Sequence, residues 1–248
     1  MDSRMQNIMF NYENRQLRLD DTFSFKCREC VKCCKNRYDI ILTAQDLYNI
    51  GRNLGRTTDE IIKRYCDVYI GGSSLIPIVR LKPTDLGNAC PLLRNKRCIV
   101  HNAKPIVCAL FPLGRASAVS QEGADVEFTG CIQPKYFLQP VTCGSQSQTH
   151  TVRSWLEMFR LPVEDEFYSL WTSMIIFAAY CFQSLKEQMV PDNMVDRLLN
   201  FTFQELYMNY DTNMDFISQF QGRLPELKAI LAIVKDNTEK LRGVPCGE

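Results

Sequence analysis

The order of apolar and polar positions divides the chain into two halves with different patterns. From residue 151 onward, apolar residues recur at helical spacing, whereas the first half contains short apolar segments separated by polar turns. We predict one long helix from about residue 163 to 188, a second from Pro191 through 209, and a third that starts at Pro225 and ends near 241. These segments predict a helical bundle in the C-terminal half.

In the first half, two short segments carry the pattern of a helix N-terminus. Residues 43–46 and 57–60 each begin with threonine and place an acid three positions later, which is the capping-box arrangement. The first helix is predicted to end near Gly51 or Gly55. The second is predicted to continue through Cys66 and Tyr69, because these residues fall on its apolar face.

Short strands are predicted around these helices. Residues 38–42 are predicted to form one strand. Residues 73–81 are predicted to form an edge strand, because they contain Pro77. Residues 116–130 are predicted to form a hairpin that turns at Glu122 and Gly123. Together with the bundle, these elements predict an α+β fold that is mainly α, in which an irregular cysteine-rich half packs on the C-terminal helices.

The change of pattern also suggests domain boundaries. We expect an N-terminal arm over residues 1–24, a cysteine-cluster metal-binding domain over 25–145, and a helical domain over 146–248. The longest uncharged run, residues 167–182, is shorter than the roughly 20 residues that span a bilayer, so no membrane span is expected.

Composition limits the classes of function. The chain is 46% apolar and has a formal net charge of +1, so we expect a globular protein without a nucleic-acid partner. Charged residues interrupt the first 19 positions, which argues against a signal peptide and favours an intracellular, cytoplasmic protein. In a reducing compartment, its 12 cysteines are more readily explained as metal ligands or redox thiols than as disulfides.

The cysteines carry the candidate chemistry. Four of them lie within eight residues in the pattern C-x2-C-x2-C-C, a density that packing does not require and that metal ligation explains. Basic residues surround this tetrad, and their positive field favours thiolates and offsets the charge of a thiolate-bound metal. The candidate metal ligands are Cys27, Cys30, Cys33, Cys34, Cys90, Cys98, Cys108 and Cys131.

The spacing favours an iron–sulfur cluster over zinc. The triplet Cys27, Cys30 and Cys33, with a remote cysteine followed by proline at Cys90, matches the ligand pattern of a [4Fe-4S] cluster in bacterial ferredoxins. Zinc is the alternative, although no second C-x2-C knuckle follows. We expect the side chain of Cys34 to diverge from that of its neighbour, so that Cys34 binds a second centre or acts as a redox thiol.

The remaining cysteines and histidines are less informative. Cys66 and Cys181 lie in apolar segments and are predicted to be core residues, and Cys246 is predicted to be exposed near the end of the chain. The sequence leaves open whether Cys143 is a ligand and what role His101 has.

Several motifs recur around the cysteines: the tetrad, Leu42-Thr43-x2-Asp46, Cys90-Pro91-Leu92, Cys98-Ile99-Val100-His101, Lys104-Pro105-x2-Cys108 and Phe111-Pro112. Together they resemble the CxxCxxCC family, also called YkgJ-type cysteine-cluster proteins, which are described as zinc- or iron-chelating. The resemblance covers roughly residues 25–131, and some members of the family are flagellin lysine N-methylases. His101 and Lys104 stand where the family usually has tyrosine and arginine.

Three functions remain open from the sequence. The first is an iron–sulfur protein with a redox or structural role, acting with a redox partner. The second is a zinc-stabilised interaction module. The third, implied only by the resemblance, is an S-adenosylmethionine-dependent methyltransferase that acts on a protein substrate. The sequence lacks a glycine-rich loop for that cosubstrate between a strand and a helix, so the methyltransferase is ranked below the metal protein.

Overall fold

The computed structural model describes residues 3–35, 37–85, 88–117, 132–141 and 143–242. The helices in these ranges are α1 (Ser3–Asn14), α2 (Ala44–Leu54), α3 (Thr58–Tyr65), α4 (Ile106–Leu110), α5 (Val152–Met158), α6 (Glu166–Glu187), α7 (Asp192–Tyr207) and α8 (Phe216–Arg242). The strands are β1 (Gln16–Leu17), β2 (Thr22–Lys26), β3 (Ile41–Leu42), β4 (Cys66–Ile70), β5 (Pro77–Leu81), β6 (Leu93–Arg94), β7 (Arg97–Cys98), β8 (Leu113–Ala116), β9 (Lys135–Leu138) and β10 (Ser145–Thr151). The prediction of an α+β fold that is mainly α is confirmed.

The capping boxes that start α2 and α3 are present as predicted. In α2, the Thr43 side chain accepts a hydrogen bond from the Asp46 amide, and the Asp46 carboxylate accepts one from the Thr43 amide. The same reciprocal pair links Thr57 and Glu60 at the start of α3. Helix α2 ends at Leu54 and is capped by Gly55, whose φ of 61° is the left-handed conformation that glycine adopts readily.

Two predictions around α3 are wrong. The helix ends at Tyr65, and Cys66–Ile70 forms β4 instead of a further helical turn, because its β-branched and aromatic residues pair along the whole of β5. Strand β5 is central in the order β3-β5-β4, although Pro77 suggested an edge. Pro77 is the first residue of the strand, so its missing N–H falls at the end of the ladder.

The C-terminal helices largely follow the predictions. Helices α6 and α7 occupy the expected segments, and Pro191 precedes the first residue of α7. Helix α8 begins at Phe216, nine residues before the predicted start. The reason is local: Asp215 accepts a hydrogen bond from the Ser218 amide, and Phe216 and Phe220 are buried. Pro225 therefore lies inside the helix.

Two hydrophobic cores organise the part of the chain that the structure describes. Core 1 combines α2, α3 and the β3-β5-β4 sheet with helices α6, α7 and α8. Core 2 is smaller and gathers Phe23 and Phe25 of β2 with residues of α4, β8, β9 and α5, including Trp155. Core 1 spans the boundary expected at residue 145, and residues 3–24 contain α1, β1 and the start of β2. The three-part domain division stays a prediction.

The predicted hairpin over residues 116–130 lies almost wholly outside the described residues. Its first residue, Ala116, is the last residue of β8, which pairs with β9 in an antiparallel sheet. Within the described ranges, none of the helices combines the length and the apolar character needed to cross a membrane.

Candidate metal centre

Among the described residues, eight cysteines from separate parts of the chain line one cavity of about 390 Å³. They come from the loop after β2, the segment before β6, strand β7, helix α4 and the loop before β10. These cysteines are Cys27, Cys30, Cys33, Cys34, Cys90, Cys98, Cys108 and Cys143. Seven of them are among the ligands predicted from sequence, so the fold brings together thiols that lie up to 81 positions apart along the chain.

The loop that carries the tetrad turns its amides toward sulfur. Glu29 and Val31 have φ values of 50° and 53°, which are unusual for residues with a Cβ and reverse the chain within the motif. The Glu29 amide donates to Cys27 Sγ over 3.4 Å. The Lys32 amide donates to Cys30 and holds the pKa of that thiol below its ordinary value. Amides directed at thiolates are typical of metal-binding cysteine loops.

Cys33 and Cys34 lie in a short 3-10 helix, Lys32–Cys34, and their Sγ atoms are 3.9 Å apart. The expectation that these side chains diverge is therefore wrong, because the tight turn directs both thiols into the same cavity. The hydrogen bond between them lowers the pKa of Cys33 and raises that of Cys34.

Backbone contacts attach the segment before β6 to the tetrad. The Cys90 amide donates to the Cys34 carbonyl over 2.7 Å, and Lys35 pairs with Ala89 in an isolated β-bridge. The hairpin of β6 and β7 then places Cys98 opposite Leu93. Cys90 and Cys98 thus reach the cavity through short-range pairing that begins at the tetrad itself.

Cys108 lies on α4, and a buried carboxylate fixes that helix. Asp46, which is 2% exposed, caps α2 and also accepts a hydrogen bond of 2.7 Å from the amide of Ile106, the first residue of α4. One side chain therefore joins the starts of two helices that are 60 residues apart. Burial raises the pKa of the Cys108 thiol, and the neighbouring Cys90 adds to this effect.

Cys143, which the sequence left open, lines the cavity. The following Gly144 has a φ of 78°, and a Cβ there would meet the Phe25 ring at 2.5 Å and the Lys26 carbonyl oxygen at 2.8 Å. Glycine is thus required for the loop to approach β2 and bring Cys143 beside Cys30. The cysteine–glycine pair is the one local signal at this position, and by itself it does not show that the loop reaches β2.

Other cysteines lie elsewhere. Cys181 is buried in core 1, and Cys66 packs against the same core on β4, outside the residues that line the cavity. Desolvation by burial raises the pKa of Cys66 to about 12. Cys131 and Cys246 lie outside the described residues, so their predicted roles stay predictions.

The cavity lining is strongly cationic. Five of its residues carry positive charge, and Glu29 is the one lining anion among the described residues. The cationic residues are Arg28, Arg37, Lys96, Arg97 and Lys104. His101 also lines the cavity, and desolvation together with Lys104 lowers the pKa of its imidazole. A neutral imidazole near pH 7 is able to bind a metal ion.

The residues fit a thiophilic metal group. Thiolate donors select zinc, copper(I) and iron–sulfur clusters over hard ions such as magnesium. As the side chains stand, no set of three or more Cys, His, Asp or Glu within the described ranges has the spacing of a finished metal site. Cys27 and Cys30 are exposed on the tetrad loop. Binding a metal group therefore requires the thiols to close around it, as is common when metal binding couples to folding.

Comparison with known proteins identifies the cysteine-bearing segment. Searches of curated proteins and of solved structures returned no match. The sequence model of one family, described as "Putative zinc- or iron-chelating domain", matches residues 26–143, from the residue before the tetrad to Cys143. Residues 26–143 of this chain are therefore similar to the CxxCxxCC family of zinc- or iron-chelating domains.

Proposed function

We propose that the cysteine cavity holds an iron–sulfur cluster, of the [4Fe-4S] type, with a redox or structural role. The main support is that the described part of the fold brings eight thiols to one cavity, among them a triplet with the spacing of ferredoxin cluster ligands. A single zinc ion uses only four thiolates.

The tetrad loop suits three of the cluster ligands. Cys27, Cys30 and Cys33 have the ferredoxin-like spacing, and the amides of Glu29 and Lys32 donate to the first two sulfurs. Such hydrogen bonds tune the reduction potential of a bound cluster. The sequence favours Cys90 as the fourth ligand, and this thiol lines the same cavity.

The bound group would supply one-electron transfer. The protein's own part is to hold the thiolates, to offset their charge and to limit the access of water. The cationic lining performs the second task, because five positive residues face the thiolates and one anion accompanies them. The same positive charge would attract an acidic redox partner. A cytoplasmic location remains an expectation from the sequence.

Anaerobic purification followed by metal and sulfide analysis tests the proposal. We expect a brown protein with broad visible absorption and matching amounts of iron and acid-labile sulfide. Cys30→Ser should lower the iron and sulfide content, whereas Cys66→Ala should keep both, because Cys66 packs in core 1. A colourless protein that contains zinc, or unchanged iron in Cys30→Ser, would refute the proposal.

Zinc is the second candidate, and one distance favours it. Four thiolates on a tetrahedral zinc ion are separated by about 3.8 Å, given a bond length of about 2.3 Å. The 3.9 Å between Cys33 Sγ and Cys34 Sγ is close to that separation. Zinc in stoichiometric amount, without sulfide, would support a zinc-stabilised interaction module.

The methyltransferase activity implied by the family resemblance stays a prediction. Calorimetric titration of the metal-loaded protein with S-adenosylmethionine tests it directly. Saturable binding would justify an assay with a lysine-containing protein substrate, and the absence of binding heat would remove this function.

A further inference from the structure

The eight described cavity thiols separate into two groups of four by their contacts. We define the outer set as Cys27, Cys30, Cys33 and Cys143, and the inner set as Cys34, Cys90, Cys98 and Cys108. Four thiolates complete one metal centre, whether it is a cubane cluster or a zinc ion. The number of thiols in the cavity is therefore twice what one centre needs.

The outer set is held together by the tetrad loop and the loop before β10. The Cys143 side chain is hydrogen-bonded to that of Cys30, and the Gly144 amide also donates to Cys30. Cys27 and Cys33 lie close enough to Cys143 to interact with it electrostatically. Cys27 and Cys30 are exposed, so this set occupies the mouth of the cavity.

The inner set is connected by backbone pairing and lies deeper. The Cys90 amide donates to the Cys34 carbonyl, and the Leu93 amide donates to the Cys90 carbonyl while Leu93 pairs with Cys98. Cys108 lies close enough to Cys90 and Cys98 to interact with both electrostatically. All three of these thiols pack against core 1.

Cys33 and Cys34 mark the junction of the two sets. Their Sγ atoms are 3.9 Å apart, so the distance alone does not assign them. Apart from Cys33, the thiols close enough to interact electrostatically with Cys34 are Cys90 and Cys108, both of the inner set. Cys33 interacts electrostatically with thiols of both sets. We assign it to the outer set because it completes the C-x2-C-x2-C triplet.

The charge of the cavity agrees with two centres. A zinc ion or an oxidised cubane cluster with four thiolates carries a charge of about −2. Five cationic residues and Glu29 line the described wall, and one of the five, Arg37, is paired with Asp39. The remaining positive field is compatible with more than one four-thiolate centre.

We propose that the cavity binds two metal centres, an outer one on Cys27, Cys30, Cys33 and Cys143 and an inner one on Cys34, Cys90, Cys98 and Cys108. This proposal rests on the proposed metal-binding function and makes Cys143, in place of Cys90, the fourth ligand of the triplet. Neither set requires Cys131, which lies outside the described residues.

Stepwise metal removal from the wild-type protein tests the division without a mutation. The metal-loaded chain is exposed anaerobically to dipyridyl until half of the metal is released, then alkylated with iodoacetamide and analysed by peptide mass spectrometry. We expect alkylation at the four outer cysteines and protection of the four inner ones. Labelling of Cys34 or Cys90 together with Cys30, or uniform labelling of all eight, would overturn the division.

Three single variants give an independent test. Cys143→Ser and Cys98→Ser should each lose about half of the metal and retain the other centre, and Cys66→Ala should lose none. Circular dichroism verifies that each variant is folded. Unchanged metal in Cys143→Ser, or a total in the wild type that corresponds to one centre, would overturn the proposal. Two zinc ions per chain would instead support two centres while refuting the iron–sulfur proposal.

Discussion

The Asp46 carboxylate is predicted to stabilise both the fold and the position of Cys108. Its two oxygens accept hydrogen bonds of 2.8 Å from the Thr43 amide, 2.9 Å from the Thr43 hydroxyl and 2.7 Å from the Ile106 amide. In Asp46→Asn, one oxygen remains to accept from one amide, but the new NH2 group faces the other donor. The variant thus leaves one buried amide without an acceptor.

The magnitude follows from these contacts. An unsatisfied buried amide costs about 1–3 kcal/mol, and a hydrogen bond to a charged group contributes about 1.5–3 kcal/mol. Burial raises the pKa of Asp46, which shows that its charge is desolvated, and the neutral asparagine avoids that cost. We therefore expect Asp46→Asn to lower the free energy of unfolding by about 2 kcal/mol.

The chain offers a matched control at the other capping box. Glu60 makes the same reciprocal contacts with Thr57, but its side chain is 51% exposed, and its remaining side-chain partner is Arg56, within the same turn. Water can replace the lost acceptor there, so Glu60→Gln should cost only about 0.5 kcal/mol.

Urea unfolding of the metal-loaded and metal-stripped proteins measures these differences. Because Asp46 holds the start of α4, Asp46→Asn should also release metal to a chelator faster than the wild type, whereas Glu60→Gln should not. Equal losses of stability in the two variants, with equal rates of metal release, would refute the argument that the bond to Ile106 positions Cys108.

Three further outcomes are expected. Burial raises the pKa values of Cys90 and Cys108, so metal uptake must displace their protons, and competition titrations should show an affinity that increases from pH 6 to pH 8; a constant affinity would contradict this. The folded Cys66 thiol keeps its proton up to a pKa of about 12, whereas the unfolded thiol loses it near pH 9, so stability should fall as pH rises through this window, and Cys66→Ala should reduce that fall in urea titrations. Gly144→Ala should lower metal content because its Cβ would clash with Phe25, whereas Gly72→Ala, where a Cβ meets nothing within 4 Å, should not.

The sequence predicted features whose causes are local. The capping boxes of α2 and α3 were identified because both partners lie within four residues, and α6 follows from a long apolar run after acids in its first turn. Strand β4 was missed because its residues suit either a helix or a strand, and pairing with β5 decides between them. The start of α8 was missed because the cap at Asp215 is a weaker sequence signal than Pro225.

In the candidate site, too, the sequence predicted local features and missed those that depend on tertiary packing. The tetrad and the later cysteines are recognisable because thiols at this density have few other uses. Cys143 was not assigned because its position depends on the contact of Gly144 with Phe25, which are 119 residues apart in sequence. Likewise, the capping role of Asp46 was predictable from Thr43, but its bond to Ile106 depends on how α4 packs.

The position of the cavity between the two cores gives metal binding a structural consequence. The tetrad loop leaves β2, whose phenylalanines lie in core 2, and continues to β3, which lies in core 1. Helix α4 spans the same junction, because Cys108 packs against core 1 and Leu110 is buried in core 2. A metal group bound by Cys34 of the tetrad loop and Cys108 of α4 would therefore cross-link the two cores. Because binding to the folded chain adds to its stability, the thiols that create the site also make the joining of the cores depend on the metal.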